Sequence, residues 1–184
     1  VLDRADLILA EGRDAVLDLR DPDARISDLP ESLTEVGNEL AASNGPAFST
    51  IVEGTPRPLS PIVRDEAYSI GREALINAFQ HSQAAQIEVQ LNYGQHSFTL
   101  QVRDDGKGID ATTLRTGQKA GHWGLTGMRE RAREIGGKLD IWSGSRPGTE
   151  IQLQIPARIA YRPSDSVRVA RWKFWRRRAS AERH

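Results

Sequence analysis

In REALINAFQH, residues 72–81, Glu73, Asn77 and His81 recur at every fourth position, so a helix would carry a carboxylate, an amide and an imidazole on one face. An asparagine in mid-helix costs a little propensity. A solvated polar stripe accounts for it, and so does a ligand. The amide oxygen of Asn77 is the hard donor that Mg²⁺ prefers, an ion that binds oxygens and keeps much of its water. Glu73, one turn earlier, is placed to accept a proton through a water. A second stretch, RDDGKGI at 103–109, sets Asp104 where a carboxylate can accept from an exocyclic amine, beside Gly106 and Gly108, which let the backbone approach a ligand. A plain surface turn uses the same residues. A third, GHWGLTGMRER at 121–131, puts Gly121, Gly124 and Gly127 at the entry to a helix, where bare N–H groups suit a phosphate and a glycine hinge would look the same. No Gly-Lys-Ser/Thr follows, so this is neither a Walker A loop nor the dinucleotide fingerprint.

The elements that must hold these residues are legible from periodicity. Residues 2–20 carry Leu2, Ala5, Leu9, Val16 and Leu19 on an amphipathic helical stripe, broken by DPDARISD. A shorter helix is predicted over 31–42 on Leu33, Val36 and Leu40, ended by SNGP. FSTIVEG reads as a strand. Pro61 sits in the first turn of a helix predicted over 62–79, where its missing N–H costs nothing. AQIEVQLNY and HSFTLQVRD form a hairpin around a Tyr-Gly-Gln turn. The Gly-rich polar run after Asp105 is loop, LTGMRERAREIG is helix ended by Gly136 and Gly137, and KLDIWSG with TEIQLQIPA makes a second hairpin. This order predicts an α+β fold, one sheet with helices on one face.

Composition narrows the options. The 184 residues suffice for one ordinary domain and a smaller appendage, and 38% hydrophobic residues supply a core. No run is long and apolar enough to span a bilayer, and no secretory signal opens the chain. The start at Val1, within a helical pattern, is read as a piece of a longer protein. Cysteine is absent, which excludes disulfides, thiolate nucleophiles and cysteine-held metals, and matches a cytosolic setting. The net charge of +0 hides two unlike pieces: residues 161–184 carry eight Arg/Lys against two acidic residues, net +6, and the other 160 carry 17 basic against 23 acidic, net −6.

Taken in order, the three stretches resemble the ATP-binding catalytic domain of bacterial sensor histidine kinases, in the superfamily shared with DNA gyrase B, Hsp90 and MutL, and within it the subfamily that signals to NarL-type regulators. REALINAFQHSQA resembles the N box, DDGKG the G1 box, GHWGLTGMRERA the G2 box, and PGTEIQLQIP the terminal Gly-Thr element. The resemblance covers roughly residues 45–157, and LILAEGRDAVLDLR resembles the second helix of the dimerisation hairpin. It implies a two-layer α/β sandwich of the histidine kinase/Hsp90-like ATPase (Bergerat) type over 30–160, a hairpin helix over 1–22 and a basic tail over 161–184. It implies ATP and Mg²⁺ as cofactors, with Asn77 on the metal, Glu73 orienting or activating the reacting group, and His81 near the phosphates. Asp104 would take the adenine amino group, supported through water by Thr149, with Gly106 and Gly108 shaping that side. Gly121, Gly124 and Gly127 would bound the phosphates and hinge the lid between Ile109 and Gly121, and Leu125 and Met128 would pack beneath it.

The phosphoaccepting histidine of such kinases lies in an acidic motif of the first hairpin helix. None of His81, His96, His122 and His184 has that setting, and His96 reads as a surface residue. The resemblance therefore implies an upstream acceptor helix, a homodimeric parent anchored in the bacterial inner membrane with this domain in the cytoplasm, and a NarL-type response regulator as partner. This fragment would bind ATP without completing autophosphorylation. Two other readings stay open: a serine protein kinase of anti-sigma-factor type, and a nucleotide-binding module without catalysis. For VRVARWKFWRRRASAERH, a solvated terminus, a membrane-surface or acidic-partner contact, and nucleic-acid contact stand side by side. The acidic remainder has the wrong sign for a nucleic-acid surface, so no direct nucleic-acid role is expected of the domain. Trp123 is expected at the lid edge.

Overall fold

A computed structural model describes residues 28–41, 45–109, 123–143 and 147–161. The opening helix, the loop from 110 to 122 with Gly121, and the tail beyond Tyr161 lie outside the described residues, as does the side chain of Trp123.

The elements are α1 (Asp28–Ala41), β1 (Ala47–Gly54), α2 (Pro61–His81), β2 (Gln86–Tyr93), β3 (Ser97–Asp104), α3 (Trp123–Glu134), β4 (Lys138–Ser143), β5 (Thr149–Pro156) and the single turn α4 (Ala157–Ala160). They make one five-stranded sheet in the order β1-β2-β3-β5-β4. β1 and β2 are parallel, which requires a crossover, and α2 provides it. The other pairs are antiparallel. The expected α+β sandwich is what forms.

Alternation decides which face is covered. Ile87, Val89, Leu91 and Tyr93 of β2, Phe98, Leu100 and Val102 of β3, and Ile151, Leu153 and Ile155 of β5 are all buried. They meet Val63, Ala67, Ile70, Ala74, Leu75 and Ala78, the buried stripe of α2. The opposite face carries polar rows such as Glu88, Arg103 and Glu150, neighbours across three strands. Pro61 occupies the first turn of α2 as expected, after Ser60 in extended conformation. That helix runs two residues past Phe79, which keeps His81 on the helical face. α1 starts three residues earlier than its periodicity suggests, because Leu29, 4% exposed, adds an anchoring contact one turn ahead of Leu33.

Tyr161, grouped with the tail on sequence, belongs to the folded body. It is 6% exposed, bridges to Leu59, and donates its hydroxyl to the carbonyl of Gly94 at 3.0 Å.

Candidate functional site

The C-terminal end of α2, the ends of β3 and β5 and the first turn of α3 line a cleft open to solvent. From α2 it takes Asn77 and His81, with Ala74 and Ala78 beside them. The two alanines keep the helix slim enough for a ligand to lie against it. From the sheet come Asp104, Thr149, Val102 and Ile151, and from the helix opposite come Gly124 and Leu125. The three stretches singled out on sequence therefore converge on one site.

Glu73 lies just outside the lining and is tied to it: the Asn77 side-chain amide donates to Glu73 Oε1 at 3.2 Å. That bond commits the nitrogen of Asn77 and leaves its oxygen as the acceptor for a ligand. Gly124 touches the same carboxylate from across the cleft, since a Cβ built there would stand 2.0 Å from Glu73 Oε1. The start of α3 is thus seated on the polar stripe of α2, where any larger residue would displace the Glu73 carboxylate.

Asp104 ends β3 at 5% exposure. Gly106 N–H donates to its Oδ1 at 2.9 Å, and Thr149, its partner across β3 and β5, turns a backbone N–H and a hydroxyl toward the same carboxylate. Burial pushes the Asp104 carboxyl above the usual aspartate value, the donors from Gly106 and Thr149 oppose the rise, and the charge of Asp105 adds to it. A buried, acceptor-only group between Val102 and Ile151 suits a flat heterocycle bearing an amine. Register pairs Thr149 with Asp104 across β3 and β5.

The remaining glycines divide by role. Gly106 packs beneath the end of α2, where a Cβ would lie 2.2 Å from the carbonyl of Ser82. Gly108, at φ +75°, belongs to the cleft lining. Gly127 has nothing within 4 Å of a would-be Cβ, so the described contacts leave its role open. Leu125 and Met128 are buried at 3% and 2%, Leu125 in the cleft wall and Met128 in the core below.

Sequence reasoning misses several residues that build the site. Ser143 ties its rim together, its hydroxyl accepting from Ile109 N–H at 2.7 Å and donating to the Gly148 carbonyl at 3.0 Å. Gly148, at φ +94°, presses so closely on Asp104 that a Cβ would overlap that residue's carbonyl oxygen. Asp105 accepts from the N–H groups of Ala85 and Gln86, both at 2.8 Å, which lowers its carboxyl pKa. The Pro-Gly-Thr run signals Gly148; nothing in the sequence marks Ser143.

For a nucleotide with Mg²⁺, the donor set is chemically suited: one amide oxygen beside a carboxylate leaves most coordination positions to phosphates and water, as Mg²⁺ prefers.

The sequence profile of the histidine kinase-, DNA gyrase B- and HSP90-like ATPases matches residues 62–159. Sensor histidine kinase LiaS of Bacillus subtilis is 34% identical over 146 residues, covering 79% of this chain and 39% of that protein. Nitrate/nitrite sensor protein NarQ of Escherichia coli is 30% identical over 128 residues, covering 69% and 22%. The chain thus spans between about a fifth and two fifths of these relatives. Among solved structures, the histidine kinase domain of the Erythrobacter litoralis EL346 blue-light activated kinase superposes with TM-score 0.56 at 23% identity, over 70% of this chain and 60% of that one. Histidine kinase AdeS of Acinetobacter baumannii gives 0.57 at 14% identity, over 68% and 61%. At such identities these two show the fold.

Proposed function

The chain belongs to the histidine kinase-, DNA gyrase B- and HSP90-like ATPase family, and from that premise we propose that it is the ATP-binding catalytic region of a sensor histidine kinase. In this reading residues 30–160 bind ATP, and residues 1–22 are the second helix of a dimerisation hairpin. The γ-phosphoryl group passes to a histidine on the preceding helix of a homodimeric parent anchored in the inner membrane, and from there to a NarL-type response regulator. The convergence of Asn77, Asp104 and Gly124 on one cleft is the observation that carries this reading.

The roles follow from position. Asp104 accepts from the adenine amine, and Val102, Ile151 and Leu125 sandwich the base. Asn77 holds Mg²⁺, which when bound neutralises phosphate charge. His81, four residues on, lies on the phosphate side, where Gly124 and Gly127 keep the backbone open at the start of α3. Glu73, held by Asn77, orients the attacking imidazole and takes its proton. Phosphoryl transfer asks chiefly for such positioning and electrostatic support.

Calorimetric titration with ADP and a non-hydrolysable ATP analogue, with and without Mg²⁺, tests binding, and transfer of label from γ-labelled ATP in the parent tests chemistry. Mg²⁺-dependent adenine-nucleotide binding together with an acid-labile, base-stable phosphoprotein is the expected result. A folded chain that binds no nucleotide sinks the proposal, and an acid-stable phosphoester redirects it to a serine kinase.

A further inference from the structure

The seat of α3 on Glu73 has a companion contact two turns away. Arg131 Nη1 lies 3.0 Å from Glu66 Oε2, an ion pair that joins the last turn of α3 to the second turn of α2. Glu66 and Glu73 are seven residues apart on α2, and Gly124 and Arg131 are seven apart on α3. Seven residues make almost two whole turns, so each pair shares one face of its helix, about 10 Å apart along the axis. Glu66 meets Arg131 and Glu73 meets Gly124, so the two helices run antiparallel along this seam. Ile70 and Met128 hold the middle positions of the two faces, and both are buried.

The contacts of α3 divide into two kinds. Leu125, Met128, Ala132 and Ile135 are buried and set how deep the helix lies against the core. Burial of that kind is non-directional. It fixes the depth of a helix more firmly than its place along its own axis. An arginine–carboxylate bond depends on distance and angle, so a slide or rotation of α3 breaks it. The helix is only 12 residues long, and a displacement at Arg131 is carried to Gly124. There the backbone lies against Glu73 Oε1, the same oxygen that accepts from the Asn77 amide.

We propose that Glu66 and Arg131 are positioning residues for phosphoryl transfer: their ion pair fixes α3 along α2 and so holds the aim of the Glu73 carboxylate. The proposal rests on the catalytic reading of the cleft, although neither residue lines that cleft. The Arg131 side chain is 52% exposed and that of Glu66 23%. Pairs so exposed add little to stability, so the loss of this one falls on position rather than on folding.

The test is a charge exchange in the parent: Glu66→Gln, Arg131→Gln, and the double variant Glu66→Arg with Arg131→Glu. Transfer at saturating ATP should fall about fivefold in either single variant, the factor equivalent to about 1 kcal/mol. KM for ATP, and the calorimetric affinity of the 184-residue chain for an ATP analogue, should stay at the wild-type value. The exchanged double variant should recover most of the rate. In the 184-residue chain, amide hydrogen exchange over residues 123–131 should quicken in the single variants and slow again in the double. Wild-type transfer and wild-type exchange in the single variants overturn the proposal. A double variant no faster than the product of the single losses overturns it too, because the two charges then act independently. Weaker nucleotide binding or a large fall in Tm in the single variants makes the pair a structural strut and has the same effect. A wild-type parent that transfers nothing defeats the catalytic reading, while exchange over α3 still decides whether the pair fixes the helix.

Discussion

Gly124→Ala is expected to separate chemistry from binding. A Cβ at this position would stand 2.0 Å from Glu73 Oε1, 3.0 Å from Cδ and 3.3 Å from Cγ. Ordinary carbon–oxygen contact needs about 3.3 Å, so the carboxylate oxygen must retreat by roughly 1.3 Å. It is the far end of a flexible side chain and yields cheaply, but it breaks the 3.2 Å bond from Asn77 as it goes. Losing that bond costs about 1 kcal/mol, and alanine in a helix returns up to about 1 kcal/mol over glycine, so Tm should move by only a few degrees. Displacing a reacting group by about 1 Å costs on the order of a hundredfold in rate. Phosphoryl transfer in the parent should fall by that factor, while calorimetric affinity for an ATP analogue without Mg²⁺ stays within about threefold. Glu73→Asp, one methylene shorter, makes room for the new methyl, so adding Gly124→Ala to it should cost little further. Wild-type transfer by a folded Gly124→Ala variant, or strictly additive losses in the double variant, would refute the seating of α3 on Glu73.

Asp104→Asn should weaken adenine-nucleotide affinity about 10- to 150-fold in calorimetry, the equivalent of losing a charged hydrogen bond of about 1.5–3 kcal/mol. The amide also offers one acceptor atom where the carboxylate had two. Protonation removes the same acceptor, so wild-type affinity should fall on acidification, beginning above the ordinary aspartate value of about 3.9 because burial raises this group, and the fall should be absent in the asparagine variant. Asn77→Ala should abolish the Mg²⁺ dependence of analogue binding and leave Mg²⁺-free affinity nearly unchanged; a metal effect of wild-type size would remove Asn77 as ligand. Gly148→Ala meets the Asp104 carbonyl at a positive φ, so it should cost about 2 kcal/mol or more in urea unfolding, and a fully stable variant would contradict the close packing of that turn.

How far the site can be read from sequence follows from the reach of each signal. A four-residue recurrence is local, and a helix converts it directly into a shared face, so Glu73, Asn77 and His81 fall into one group on spacing alone. Asp104 at a strand end is equally local. What brings that strand end opposite the helix is the pairing order β1-β2-β3-β5-β4, in which β5 inserts between β3 and β4. That insertion makes Thr149 the direct neighbour of Asp104, and residues 45 positions apart carry no periodicity that could announce it. The same holds for Ser143, whose hydroxyl joins Ile109 to Gly148 across two turns.

The glycines carry the sharper lesson. All of them look alike in sequence, as permissive points in a polar stretch. In the fold Gly148 is demanded by backbone angle and contact together and Gly106 by the carbonyl of Ser82, whereas Gly124 faces a movable group, the carboxylate of Glu73. At Gly127, in the same motif as Gly124, an added Cβ would meet nothing within 4 Å among the described residues. A motif therefore reports where a chain must be bare without saying against what. At Gly124 the answer couples the start of α3 to the carboxylate of Glu73, so a change at one is felt at the other.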